Sequence, residues 1–197
     1  MTALDKRRCG PCKACCSVLK IDTPEFRKPA QTLCPHHTGR GCGIYEIRPG
    51  VCREFLCGWR LFAELDDSWR PDLSGVLILR KAPSELPPAW RDGGYGVHLA
   101  ITGGEDAVTR PGFAEYVAGL MKRGIAVYMS AASPATLVNE HMDAAAMDMP
   151  AIRERLAYLS RLLHASAWKR GIRMIGALYR LNVERQRVLV EKRLKIK

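Results

Sequence analysis

The 197 residues suffice for one ordinary domain, or for one domain carrying a small metal-stabilised module, and argue against two full-sized domains. An apolar fraction of 47% beside 26% charged residues matches ordinary globular protein and excludes a disordered or fibrous chain. The net charge of +11 is spread as +6 over residues 1–60, −5 over 61–150 and +10 over 151–197, so basic ends flank an acidic middle and suggest attraction to a polyanion or to a negative metal–thiolate centre.

Residues 1–60 are rich in Cys, Gly, Pro and Arg and show no sustained period, which suits a segment folded around metal rather than around apolar side chains. Short turns are expected there, with one helical turn near Pro49 to Phe55. From Ser68 the texture becomes that of ordinary globular protein. Gly75 to Arg80 and Gly96 to Thr102 have strand composition and are separated by the Pro- and Gly-rich stretch Ala82 to Gly94. Pro111 to Arg123 reads as a helix, with Phe113, Tyr116, Val117, Leu120 and Met121 on one face, Pro111 in its first turn and Gly124 at its stop. Ile125 to Met129 is a third strand. Pro150 to Arg170 is a second helix, apolar at Ile152, Leu156, Leu159, Leu162 and Leu163 and closed near Gly171. Val188 to Lys197 fits either helix or alternating strand.

The expected fold class is therefore α+β, with a cysteine-rich, metal-stabilised module over residues 1–60 joined to a small helix-on-sheet body over 68–197 that ends in a basic helical segment. Lys6, Arg7 and Arg8 run up against Cys9 with no apolar stretch of the kind a secretory signal requires. No later run approaches the roughly 18 apolar residues that span a bilayer. The expected setting is cytoplasmic and reducing, where the cysteines would be thiols rather than structural disulfides.

All eight cysteines lie within the first 57 residues, and none occurs in the 140 that follow. A lone buried cysteine is ordinarily a small hydrophobe, but core packing does not produce this distribution, whereas metal ligation does. Cys9, Cys12 and Cys15 stand three apart with Cys16 adjacent, giving CxxCxxCC. That spacing turns consecutive sulfurs toward a shared centre in zinc knuckles and ferredoxins. Cys34, Cys42, Cys52 and Cys57 add four more. Eight sulfurs make two four-ligand sets, one cluster plus one ion, or one centre with spare thiols. The candidate cofactors are an iron–sulfur cluster, favoured by the ferredoxin-like spacing and by Cys34-Pro35, or Zn2+.

CxxCxxCC at Cys9 to Cys16, Cys34-Pro35, and the run from Gly41-Cys42 through Ile44-Tyr45, Arg48-Pro49 and Cys52-Arg53 to Phe55 together resemble the YkgJ-type cysteine-cluster family of zinc- or iron-chelating domains. The resemblance spans about residues 9–60. It implies that Cys9, Cys12, Cys15, Cys16, Cys34, Cys42 and Cys52 are metal-site positions, while Cys57 lies outside the pattern. It also reaches the larger flagellin lysine N-methylases, which makes a cluster-containing enzyme an alternative. No glycine-rich methyl-donor signature accompanies it, and Gly103-Gly104 reads as a turn.

Tyr45, Arg48 and Arg53 are candidates to donate to the sulfurs and offset thiolate charge, with solvated surface the ordinary alternative for the arginines. His36 and His37 are expected to be loop residues rather than ligands. His98, His141, His164, Asp66-Asp67 and Glu105-Asp106 are the available acid–base groups, and their spacing assembles no catalytic site. A third reading is nucleic-acid binding. If the last segment is helical, Arg173, Arg180 and Arg187 share one face with Arg170 beside them, a stripe suited to phosphates.

Overall fold

A computed structural model describes residues 7–131 and 134–166. The basic stripe from Arg170 to Arg187, the end of the second long helix and the segment Val188 to Lys197 lie outside the described residues.

The architecture combines helices with sheet, an α+β arrangement. Strands β3 (Val76–Lys81), β4 (Gly96–Ile101), β5 (Ala126–Ser130) and β6 (Thr136–Leu137) form one four-stranded sheet in that order. The β3–β4 pair is antiparallel, with Ile78 opposite Leu99, and β5–β6 is antiparallel as well. The β4–β5 pair is parallel, with Leu99 opposite Met129. A parallel pair needs a crossover, and two helices supply it, α5 (Gly104–Thr109) and α6 (Phe113–Lys122). Helix α6 buries Phe113, Val117 and Leu120, as its apolar spacing predicts. It begins two residues later than expected, because Gly112 takes a left-handed conformation at φ 81° and Pro111 belongs to the preceding turn.

Helix α7 covers residues 149–166 of the described chain and lays Ile152, Leu156 and Leu159 into the same core. Where the sequence suggests a turn at Gly103-Gly104, Gly103 is a bend that caps α5 and Gly104 is the first residue of that helix. Gly103 lies so close to Gly75 that a Cβ on Gly75 would meet Gly103 Cα at 2.7 Å, and the amides of Thr102 and Gly103 both donate to Gly75 O.

Ahead of the sheet come α1 (Ala14–Val18), the short antiparallel pair β1 (Ile21–Asp22) and β2 (Arg27–Lys28), then α2 (Gly50–Glu54), α3 (Gly58–Leu61) and α4 (Pro71–Ser74). Helix α2 is the helical turn expected near Pro49 to Phe55. The apolar core runs without a break across the expected boundary at residues 60–68. Cys57 and Trp59 are buried with Val76, Ile78 and Leu99, and Ala14, Val18, Leu19 and Phe55 pack against that cluster. Among the described residues no helix is long and apolar enough to cross a membrane.

Candidate metal centre

The cysteine segment is pinned at its start to α3 and the turn that follows it. The Arg7 guanidinium donates to the carbonyls of Trp59, Phe62 (3.0 Å) and Leu65, which places the chain leading into Cys9 against the turn that follows Cys57. Cys12 N–H then donates to Cys9 O at 3.0 Å, closing a tight turn around the first CxxC. Cys15 and Cys16 sit side by side on α1, where neighbouring positions diverge by about 100° around the axis.

Cys34 returns to this helix through its amide, which donates to Cys16 O at 3.0 Å. The next loop is a miniature hairpin. His37 N–H donates to Cys34 O, Gly43 N–H to His36 O and Thr38 N–H to Gly41 O, and His37 bridges to Cys42. Cys52 lies on α2, whose first amide, that of Gly50, donates to Glu25 Oε2 at 3.2 Å. Cys57 precedes α3, and its carbonyl accepts from Arg60 and Leu61. None of the eight cysteines is in a disulfide; Cys57 is buried and the other seven are half-buried.

These connections bring all eight cysteines to the wall of one cavity of about 520 Å³. The wall also carries His36, Tyr45, Arg48, Phe55, Trp59 and Leu77. Among the described residues, no three His, Cys, Asp or Glu side chains are drawn together as a ready metal-ligand group; the sulfurs are spread along the wall.

The electrostatics of the thiols follow their neighbours. Burial pushes Cys12 up to about 11, the nearby Asp72 and Cys57 adding to the rise, while the amides of Ala14 and Asp72 face its sulfur and oppose it. Burial likewise raises Cys57, with Cys9 contributing, and the amides of Arg60 and Trp59 favour its thiolate. Cys52 is raised by burial and then by the charges of Cys16, Cys34 and Cys42, with Arg48 opposing. Cys15 and Cys16 act on one another. The Cys15 thiol donates to Cys16 and is itself held protonated, whereas Cys16 is lowered by that hydrogen bond and by the cations of Lys28 and Arg48, against its burial.

Lys28, only 3% exposed, was not foreseen from sequence. Its ammonium donates to the carbonyls of Pro29 (2.9 Å), Thr32 (2.7 Å) and Ser17 (3.4 Å), which fixes a buried cation beside the thiols. The two candidate arginines separate. Arg48 is half-buried in the cavity wall with its guanidinium 3.7 Å from the Tyr45 ring centroid, while Arg53 is exposed. His36 packs on Phe26, and His37 Nδ1 accepts from Gly39 N–H.

The donor set fits thiolate-bound metal. Sulfur ligands are soft and suit zinc and iron–sulfur clusters. Arg48 Nε and Trp59 Nε1 are buried without a hydrogen-bond partner among the described residues, and both side chains line the cavity. Buried N–H groups want acceptors, and thiolate sulfur bound to a metal would supply them. A tetrahedral ion with metal–sulfur bonds of about 2.3 Å fills a sphere on the order of 50 Å³, far less than this cavity.

Among the described residues, the remaining acid–base candidates lie apart from one another. His98 Nε2 meets Ser130 Oγ at 2.8 Å, His164 Nδ1 bonds Ser160 O on its own helix, and Asp66 accepts from the Ser68 amide at a turn. His141, Asp67, Glu105 and Asp106 are exposed. Comparison with protein-family models, with curated proteins and with solved structures found no match to this chain.

Proposed function

We propose that this chain is a metal-centre protein whose N-terminal cysteines hold thiolate-ligated metal, an iron–sulfur cluster in preference to zinc. One observation carries the reading: eight cysteines from five separate stretches of chain converge on a single cavity. The cysteine pattern is read as that of the YkgJ-type family, in keeping with this role.

Cys9, Cys12, Cys15, Cys16, Cys34, Cys42, Cys52 and Cys57 are the ligand candidates, with Lys28 and Arg48 placed to offset thiolate charge. Arg48 and Trp59 offer N–H groups to sulfur. Phe55, Trp59 and Leu77 supply apolar wall that limits water on the sheet side. The chemistry supplied there is one-electron exchange with an iron–sulfur cluster, or fixation of the fold with zinc.

Purification without oxygen, followed by metal and acid-labile sulfide analysis and a visible spectrum, tests the proposal. Brown protein containing iron and sulfide supports the preferred form. Colourless protein loaded with zinc reassigns the metal but keeps thiolate ligation. Protein that binds neither overturns the reading.

A further inference from the structure

The chain from Arg7 to Cys12 forms part of the cavity wall as a stiff turn. Gly10 takes a left-handed φ of 52°, Pro11 fixes the next φ, and Cys12 N–H closes back on Cys9 O at 3.0 Å. Arg8, Cys9, Gly10 and Cys12 line the cavity, while Arg8, Gly10 and Pro11 are exposed, so a single thickness of chain lies between cavity and solvent on this side.

The flanks of this stretch are held very differently. On the α3 side the Arg7 guanidinium donates to the carbonyls of Trp59, Phe62 (3.0 Å), Ala63 (3.4 Å) and Leu65, and lies 5.6 Å from the Trp59 ring centroid. A cation that gathers the carbonyls at a helix end is a firm tie, and because every bond belongs to one side chain it lets go as one piece. On the hairpin side Gly10 only leans on Gly41. A Cβ at Gly41 would fall 3.1 Å from Gly10 O, and among the described residues no backbone hydrogen bond joins the two. Beyond Cys12 the chain enters α1 through Lys13, whose side chain makes no cap, so the stretch is tethered at α1 and fastened at Arg7.

Granting the metal-binding reading, we propose that residues 7–12 are a lid over the cysteine cavity, latched by Arg7, and that metal enters and leaves when the latch releases. Cys9 and Cys12 ride on the lid, so opening withdraws two ligand candidates and uncovers the others in the same movement. A gate acts on the rates of uptake and loss together. A structural tie acts on affinity.

The test is stopped-flow measurement of Co2+ uptake by metal-stripped, reduced full-length protein, and of Co2+ loss from loaded protein to EDTA. In Arg7→Gln both rates should rise, on the order of 10- to 100-fold, the factor that loss of a charged hydrogen bond gives, with affinity changing less than either rate. Arg7→Lys keeps the charge but not the fork that spans several carbonyls, and should fall between; it carries the test if Arg7→Gln fails to fold. Unchanged hydrogen exchange at the buried Leu99 and Met129 amides identifies variants whose body is intact. Iodoacetamide labelling of metal-free protein, mapped by mass spectrometry, examines the lid without metal, and the cavity cysteines should label faster in Arg7→Gln. Unaltered rates in a folded variant, or loss that quickens while uptake does not, overturn the lid and leave Arg7 a structural tie. Wild-type protein that takes up no Co2+ overturns the metal-binding reading itself.

Discussion

Gly58 meets Ile78 with no space for a side chain between them: a Cβ at residue 58 would fall 2.3 Å from Ile78 Cγ2 and 2.6 Å from Ile78 Cβ. Helix α3 therefore seats directly on β3, one residue after Cys57. Gly58→Ala must push the helix off the strand, and overpacking of this kind costs about 1–3 kcal/mol. Urea unfolding of the variant should show that loss. Metal binding at Cys57 should weaken with it, since the same displacement moves the sulfur. Wild-type stability in the variant would show that the helix–strand contact tolerates a methyl group.

Lys28 gives a second prediction. Its ammonium serves three carbonyls and is almost fully enclosed. Lys28→Met keeps much of the volume but removes three hydrogen bonds from a charged donor to part-buried carbonyls, at about 1.5–3 kcal/mol. It also removes a cation near Cys16. The variant should unfold at lower denaturant and hold metal less tightly than wild type. Wild-type metal affinity in the variant would count against an electrostatic role for Lys28 at Cys16.

The body of the fold was legible because short apolar runs bounded by Gly and Pro are strands wherever they fall, as with β3, β4 and β5. The apolar stripe of α6 is equally plain, although its start moved because the backbone at Gly112 turns left-handed, a choice that Pro111 concealed. Two-residue β6 has no pattern to read; it exists because Thr136 and Leu137 pair with β5. The convergence of the cysteines was legible from their distribution along the chain. The loop that carries Cys34 and Cys42 was not, because it is held by backbone hydrogen bonds that leave no period. Lys28 carried no signal at all, since a lysine beside proline ordinarily marks an exposed turn.

His98 makes stability depend on pH. Burial, with Lys81 adding and Glu85 opposing, lowers its imidazole from 6.5 to about 4. The folded protein then keeps His98 neutral between those values while the unfolded chain binds a proton. The unfolded state holds more protons in that window, so stability falls as pH drops from 6.5 to about 4 and levels off below. At about 1.36 kcal/mol per pH unit the full effect is on the order of 3 kcal/mol. Denaturant unfolding at several pH values should show the slope, and His98→Gln should flatten it. An unchanged slope in the variant would assign the dependence to other groups.

Removal of metal should loosen the molecule in a graded way. The loops that carry Cys34 and Cys42 are held by a few backbone hydrogen bonds, those of Cys34, Thr38 and Gly43, over a segment poor in buried apolar residues. With chelator present, hydrogen exchange at those amides should rise to within about tenfold of an unstructured chain. The amides of Leu99 and Met129, central in the sheet and fully buried, should stay protected. Intermediate loss is expected at Leu77 and Ile78, because β3 borders both Cys57 and Gly58. Protection that vanishes uniformly through Phe113–Lys122 would mean that the cysteine segment and the sheet unfold as one unit. Unchanged exchange at Cys34, Thr38 and Gly43 would mean that these loops are stable without metal, and the ligands would then have to be sought elsewhere.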